Sequence, residues 1–239
     1  MERWKIFLKI FLDAGHGGSD NGASGNGLKE KNLTLDIVLR IAEGLEVYEN
    51  AEVILSRSGD SYPSLDDRTK QANAANADVF VSVHINSGTD ARARGFESYI
   101  WNGTTDSGTK ALQNVMHEEI YNAAYKGLDD RGKKTANFAV LRQSKMKAIL
   151  TENLFISNAA DAKLLADADF RQKIEQGHIN GLAKFLGLKR SAQAQPPPKE
   201  TPKGKLWKVQ AGAFEDEKSA RELAADLQRL GYRPWVYQE

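Results

Sequence analysis

The chain has 239 residues, of which 33 are basic and 32 acidic, giving a formal net charge of +1. This length allows one large domain or a medium domain with a small appendage. The balanced charge provides no concentrated basic face to neutralise phosphates, so we expect no nucleic-acid partner. Cysteine is absent, which excludes disulfides and thiolate chemistry and leaves His, Asp and Glu as the ligands for any transition metal.

The first twelve residues resemble a signal peptide only superficially. Lys9 interrupts the apolar stretch, and no small-residue cleavage site follows it. The tetrapeptide Lys-Ile-Phe-Leu occurs twice, at 5–8 and 9–12. No segment has the length of a membrane span. We therefore expect synthesis in the cytoplasm without a recognisable signal peptide, and release by another route if the protein acts outside the cell.

Apolar runs rich in β-forming residues alternate with amphipathic helical patterns. The runs predict strands at 6–12, 52–56, 78–84, 95–101, 139–142 and 147–154. Helices are predicted along the face shared by Leu33, Ile37, Ile41 and Leu45, after the capping-box pattern at Ser64, and across 108–124 and 169–186. Such alternation predicts an α/β fold with a twisted, mostly parallel sheet and helices on both faces.

Polar residues follow several of these strands. His16 comes after the first strand, His84 ends the third, and Glu152 lies near the end of the last. Carboxyl ends of parallel strands meet at one edge of a sheet, where open α/β folds place their sites. Two imidazoles and a carboxylate, here His16, His84 and Glu30, form an open catalytic zinc site, and Glu152 would be its general base. Each of these residues taken alone also has an ordinary structural interpretation.

Other candidates have weaker support. Asp13 is placed either to orient His16 by accepting its second ring proton or to stabilise the turn, and the sequence does not decide between them. The pair His117-Glu118 lacks the second histidine of a helical zinc motif, because position 121 is Tyr. We therefore expect His117 on a solvated helix face, and His178 in a structural role.

Residues 5–188 resemble the catalytic domain of zinc-dependent N-acetylmuramoyl-L-alanine amidases. The resemblance rests on seven motifs in the family's order: Leu12-Asp-Ala-Gly-His-Gly-Gly18, Gly27-Leu-Lys-Glu30, Leu55-Ser-Arg57, Leu65-Asp-Asp-Arg68, Ser82-Val-His-Ile-Asn86, Gly95-Phe96-Glu97 and Leu150-Thr-Glu-Asn153. It implies one zinc ion bound by His16, Glu30 and His84, with Glu152 as catalytic glutamate. The implied reaction cuts the amide between N-acetylmuramic acid and the L-alanine of the stem peptide, and so lyses the peptidoglycan wall.

The roles of one basic segment and of two arginines are not decided by the sequence. The segment 131–137, Arg-Gly-Lys-Lys-Thr-Ala-Asn, is either a solvated basic loop or a contact for stem-peptide carboxylates. Arg57 and Arg68 are better candidates for internal ion pairs than for substrate contacts.

A proline-rich linker at 189–204 separates the predicted catalytic domain, 1–188, from a short tail at 205–239. The tail resembles part of a sporulation-related repeat that binds peptidoglycan glycan. It contains an apolar helical face and five aromatic residues: Trp207, Phe214, Tyr232, Trp235 and Tyr237. At about 35 residues, this small α+β module is too short to bury a core alone.

The sequence thus predicts a cell-wall amidase that acts at the wall or outside the cell. Phage endolysin and bacterial autolysin are equally compatible with it, and oligomeric state is not indicated. Two rivals stay open: a zinc peptidase that cuts within the stem peptide, and a peptidoglycan-binding protein without catalysis.

Overall fold

The structure, a computed structural model, describes residues 7–191, Gly212 and residues 214–229. The chain divides into two compact units, Met1–Gln195 and Pro196–Glu239. In the first unit the strands are β1 (Leu8–Ala14), β2 (Ser24–Gly25), β3 (Leu28–Lys29), β4 (Ala51–Leu55), β5 (Val79–Asn86), β6 (Phe96–Trp101), β7 (Asp130–Ala136) and β8 (Lys147–Phe155). Six of them form one sheet in the order β4-β1-β5-β8-β6-β7, and β2 pairs with β3 in a small hairpin.

The sheet is mostly parallel, as predicted. Strands β4, β1, β5 and β8 all run in one direction. Strand β6 is antiparallel to β8, and β7 runs parallel to β6. The starts of β6 and β7 therefore lie at the same edge as the carboxyl ends of the four parallel strands, and this edge is called the catalytic edge below.

Helices cover both faces of the sheet, which confirms the predicted α/β class. They are α1 (Glu30–Leu45), α2 (Leu65–Ala74), α3 (Ser107–Ile120), α4 (Ala139–Arg142), α5 (Ala159–Ala166) and α6 (Ala168–Leu186). On one face, α1, α3 and α6 pack their apolar side chains against Ile10 and Val81. On the other, α2 and α4 pack against Phe11 and Phe80, whose rings stack 5.4 Å apart.

Strand alternation decides which polar side chains share a face. Phe80 and Leu150 enter the core under α2 and α4, so His84 and Glu152, four and two residues further on, lie on that face of the sheet. Central strands buried on both faces have nearly continuous apolar sequence, which is why β1, β5 and β8 were predictable. The alternation thus brings polar groups to the catalytic edge at the point where the apolar runs end.

Three local expectations concern the region from α3 onward. Residues 139–142, predicted as a strand, form the short helix α4 instead. The segment 131–137, which the sequence left open as a solvated basic loop or a contact for stem-peptide carboxylates, lies largely in the edge strand β7. Helix α3 continues into a π-helical turn, Tyr121–Tyr125, that accounts for the longer helix predicted over 108–124.

The capping box predicted at Ser64 is present. Ser64 Oγ accepts a hydrogen bond from the Asp67 amide at 3.2 Å, and the Asp67 carboxylate accepts one from the Ser64 amide at 3.2 Å. This reciprocal pair satisfies two backbone donors at the start of α2.

In the second unit, the structure describes helix α7 (Glu217–Arg229), with Gly212, Phe214 and the residues that lead into it. Asp216 caps the helix by accepting hydrogen bonds from the amide and hydroxyl of Ser219, both at 2.8 Å. Ala220, Leu223 and Ala224 are half-buried, in keeping with a shared apolar face. The strands predicted beside this helix, and the linker from residue 192 onward, lie outside the described residues.

Across the described ranges 7–191 and 214–229, every helix is too short or too polar to cross a bilayer.

Candidate active site

A tight turn after β1 presents His16. The His16 backbone is left-handed, with φ of 61°, a conformation that side chains other than glycine seldom adopt. At Gly15 the backbone approaches the His84 ring so closely that an added Cβ would overlap the imidazole. The two histidine rings meet edge to face, with centroids 5.0 Å apart. The turn therefore brings both imidazoles together only if position 15 is glycine.

Glu30, the first residue of α1, lies between the two rings. Its Oε2 is 3.1 Å from His16 Nε2, and its Oε1 is 2.9 Å from His84 Nδ1. The carboxylate also accepts hydrogen bonds from the amides of Ala23 at 2.8 Å and Ile85 at 3.0 Å. Two backbone donors thus fix a buried carboxylate between two imidazoles.

The structure brings together the three residues that the sequence predicted as metal ligands. One ligand atom from each of His16, Glu30 and His84 lies within 4.8 Å of the others. Two neutral imidazoles and one carboxylate are the donor set of open catalytic zinc sites. The residues present therefore fit a zinc ion.

Charge coupling within this cluster is strong. Burial opposes the protonation of His16, but the carboxylates of Glu30 and Asp20 together outweigh it and raise the His16 pKa to about 9. Burial likewise opposes protonation of His84, whose pKa the same carboxylate raises. The pKa of Glu30 is lowered, against its own burial, by hydrogen bonds from both histidines. The cluster therefore binds protons where a cation would otherwise bind.

Glu152 lies beside the cluster on the neighbouring strand. In the pairing of β5 with β8 it is opposite His84, and in the pairing of β6 with β8 it is opposite Glu97. Burial raises the pKa of Glu152 to about 8. Its Oε2 atom is buried and has no hydrogen-bond partner among the described residues. A buried carboxyl oxygen left without a partner is costly, and such atoms are frequent at functional sites.

Buried polar side chains support the strand around Glu152. Tyr125, in the π-helical turn, donates a hydrogen bond to Asn153 Oδ1 at 3.0 Å, and Asn153 Nδ2 donates to the His84 carbonyl at 3.1 Å. His178 donates from Nδ1 to the Ile174 carbonyl at 2.8 Å, and its Nε2 is 3.0 Å from the Thr151 hydroxyl. Burial lowers the His178 pKa to about 4, so this ring is neutral. His178 thus holds the structural position predicted for it.

The partner of His16 differs from the one considered in the sequence. Asp13 instead forms a buried ion pair with Arg68 at 2.6 Å and accepts a hydrogen bond from Ser82 at 2.7 Å. His16 Nδ1 is 2.8 Å from Asp20 Oδ2, so Asp20 is the carboxylate that orients this ring. The only feature of the sequence that pointed to Asp20 was its position in the same glycine-rich turn as His16.

The two arginines near the turn have unequal roles. Arg68 makes the internal ion pair expected of it. Arg57 has no carboxylate within salt-bridge distance among the described residues. It donates hydrogen bonds instead to the carbonyls of Ala14 and Gly15, both at 3.0 Å. These bonds link the turn that carries His16 to the segment that follows β4.

His117 does not lie on a solvated face, contrary to expectation. It is buried against Phe96, with Nδ1 2.9 Å from the Ser98 hydroxyl and Nε2 3.0 Å from Asp130. The order Ser-His-Asp is that of a hydrolase triad, but Ser98 is fully buried and no substrate can reach it. The trio therefore joins α3 to β6 and β7.

Sequence reasoning missed Glu97 as a candidate site residue. It is buried at the catalytic edge and accepts hydrogen bonds from Asn86, Tyr99, Arg131 and Lys134. Two signals were available: Glu97 ends the motif Gly95-Phe96-Glu97, and its alternation with Tyr99 and Trp101 in a predicted strand placed a carboxylate on a buried face. Arg131 and Lys134 therefore lie in a strand and not in a loop, and their side chains are only partly solvated.

Comparison with known families agrees with this architecture. Residues 10–184 match the family model for N-acetylmuramoyl-L-alanine amidase, and residues 182–238 match the SPOR domain model. The second match begins inside α6, upstream of the predicted linker.

Individual proteins extend the comparison. A sporulation-specific N-acetylmuramoyl-L-alanine amidase of Bacillus subtilis (strain 168) is 45% identical over 226 residues, or 94% of this chain and 82% of the relative. An endolysin of Bacillus phage SPP1 is 44% identical over 193 residues, or 80% of this chain and 70% of the relative. The catalytic domain of the amidase CwlV from Bacillus (Paenibacillus) polymyxa var. colistinus has a TM-score of 0.72 at 37% identity, covering 77% of this chain and 100% of that one.

Fold and matches together define a hydrolase of the bacterial cell wall. The chain belongs to the N-acetylmuramoyl-L-alanine amidase family and is a peptidoglycan amidase with a SPOR domain. The resemblance identified in the sequence is confirmed.

Proposed function

We propose that this amidase is zinc-dependent, with one zinc ion held by His16, Glu30 and His84 and with Glu152 as its general base. It cuts the amide between the lactyl group of N-acetylmuramic acid and the L-alanine of the stem peptide. The observation that carries the proposal is the unpartnered, buried Glu152 carboxyl beside a His-Glu-His cluster.

Zinc bound to these ligands supplies a Lewis acid that activates water and polarises a carbonyl. The protein supplies the proton path. Glu152 accepts the proton of the attacking water and returns it to the departing nitrogen, which becomes the amino group of L-alanine. The pKa of Glu152 is raised to about 8 by burial and by the carboxylates of Glu30 and Glu97, whereas positive charge on His84 and His16 favours its ionised form.

The surrounding residues hold this geometry. Asp20 accepts from the outer ring nitrogen of His16, which directs Nε2 towards Glu30. Asn153 holds the His84 carbonyl, and the amide of Ile85 holds Glu30. Positioning of this kind matters because small displacements of ligands and base reduce the rate strongly.

We further propose that the domain limits are 1–188, 189–204 and 205–239, and that the tail binds glycan strands. The limits rest on the proline-rich composition of 189–204, and the SPOR match begins further upstream, at residue 182. That match and the tail's five aromatic residues support glycan binding. Sedimentation with peptide-free glycan strands tests it on the full chain carrying Glu152→Gln. We expect co-sedimentation that falls on Trp235→Ala, and no binding to the strands contradicts the proposal.

Product analysis tests the reaction itself. Digestion of purified peptidoglycan is expected to release L-alanine amino termini and leave muramic acid intact. Glu152→Gln is expected to lower kcat by roughly 10²–10⁴-fold while zinc content is unchanged. Glu52→Gln makes the same chemical change on the exposed side of β4 and serves as the matched control.

Each rival has its own result in this assay. New carboxyl termini inside the stem peptide would identify a zinc peptidase. Wall binding without any cleavage, unchanged by Glu152→Gln, would identify a non-catalytic peptidoglycan-binding protein. We propose that the enzyme acts at the wall or outside the cell. The producing cell or phage would provide the route of release.

A further inference from the structure

Glu97 anchors two cations at the catalytic edge. Its buried carboxylate accepts a hydrogen bond from Arg131 Nε at 2.7 Å and is also paired with Lys134. Tyr99 and Asn86 complete its shell, each donating at 2.7 Å. The single negative charge of Glu97 therefore does not by itself neutralise its two cationic partners.

A β-bulge directs both cations to the same side of β7. Arg131 and Lys134 are three residues apart, so regular alternation would put them on opposite faces. Between the pairs Phe96–Asp130 and Ser98–Lys133, β7 has one residue more than β6, and Gly132 has a φ of 83°. The extra residue resets the alternation, so both side chains reach Glu97. Bulges near active sites commonly redirect side chains in this way.

Both cations keep donors for a further partner. Each side chain is 35% exposed although its anchor is buried. The Arg131 guanidinium lies over the Phe155 ring at 4.8 Å, and its Nη2 has no hydrogen-bond partner among the described residues. Lys134 uses one of its three ammonium hydrogens, on Glu97. Oriented, half-exposed donors suit recognition of a planar anion.

This pair lies next to the proposed general base. Glu97 is opposite Glu152 in the β6–β8 register, and both side chains lie on the face of the sheet that α2 and α4 cover. Arg131 and Lys134, both bound to Glu97, are therefore held against the strand next to the one that carries Glu152.

We propose that Arg131 and Lys134, held by Glu97, form a subsite for a carboxylate of the stem peptide close to the scissile amide. The inference rests on the proposed function, because it takes a muramyl peptide as the ligand. A purely structural role would need only one cation for one buried carboxylate. The second cation and the exposed guanidinium edge are what an anionic ligand would use.

Binding to the Glu152→Gln chain tests the subsite separately from catalysis. The probes are two muramyl tripeptides that differ only in whether the second stem residue carries a free carboxylate or a carboxamide. Titration calorimetry is expected to show about tenfold tighter binding of the carboxylate form. Arg131→Gln or Lys134→Gln in the same background should reduce this ratio to near one. Because each ratio compares two ligands on one protein, partial loss of folded protein does not alter it.

Lys133→Gln is the matched control. It removes the same charge from β7 but from the exposed side chain on the opposite face, so the affinity ratio should be unchanged. Three results would overturn the proposal: equal affinities of the Glu152→Gln chain for the two peptides, no binding of either peptide, or a preference that survives both Arg131→Gln and Lys134→Gln. Failure of the zinc-loaded parent, with Glu152 intact, to cleave either peptide would count against the proposed reaction, whereas the affinity ratio alone decides the subsite.

Discussion

Replacing Arg68 by Met is predicted to destabilise the folded chain by about 3–5 kcal/mol, the range for breaking a buried ion pair. Arg68 is only 2% exposed and its partner Asp13 only 1%. Besides this pair at 2.6 Å, the guanidinium donates to the carbonyls of Ala14, His16 and Pro63. Methionine fills the volume of the aliphatic stem, but among the described residues it leaves the Asp13 carboxylate with only the Ser82 hydroxyl as a partner.

Urea unfolding followed by far-UV circular dichroism measures the loss. A fall in the midpoint with an unchanged m value is expected, since the compactness of the native state is retained. Arg92→Met is the control, because Arg92 is 91% exposed and its surface pair with Asp90 contributes little. Its effect should stay within about 0.5 kcal/mol.

The double substitution of Asp13→Leu with Arg68→Met refines the argument. Removing both charges leaves no unpaired buried ion, so the double variant should be more stable than the sum of the single losses implies. A loss below about 1 kcal/mol for Arg68→Met alone, or simple additivity of the two changes, would refute the assigned role of this pair.

Three further results are expected. Ser64→Ala should reduce the free energy of unfolding in urea by about 1 kcal/mol through loss of the capping box, and no change would contradict the cap. Gly132→Ala should reduce it by about 1–2 kcal/mol, because φ is 83° there although space around the residue is open; no effect would contradict the left-handed bulge. Zinc binding at pH 7.5 should release at least about one proton, because the metal-free His16 has a pKa of about 9 and is protonated below that pH. Zinc affinity should therefore fall as pH decreases. Calorimetry in two buffers of different ionisation enthalpy measures the protons released, and finding no release would contradict the prediction.

Buried parallel strands were the most predictable part of the fold. β1, β5 and β8 are apolar on both faces, and their polar ends predicted where His16, His84 and Glu152 would meet. The edge strand β7 was not predictable in this way. It has neighbours only on one side, carries mostly exposed polar residues and contains a bulge at Gly132, so it shows no apolar alternation.

Short apolar runs and polar partners were the other sources of error. The four residues of α4 are too few for periodicity to distinguish a helix from a strand. His117 was misplaced because its partners, Ser98 and Asp130, come from separate strands that only tertiary folding brings together. The same holds for Asp20, which the sequence did not single out as the partner of His16, since distance along the chain does not show which carboxylate faces the ring.

Titration of zinc into the metal-free chain is the most direct test of the central claim. Amino termini of L-alanine released from peptidoglycan should rise with added zinc and reach a plateau at one ion per chain. His84→Ala should remove both the bound zinc and the cleavage. Full cleavage by the metal-free chain, or a plateau at another stoichiometry, would contradict an amidase built on one zinc ion between His16, Glu30 and His84.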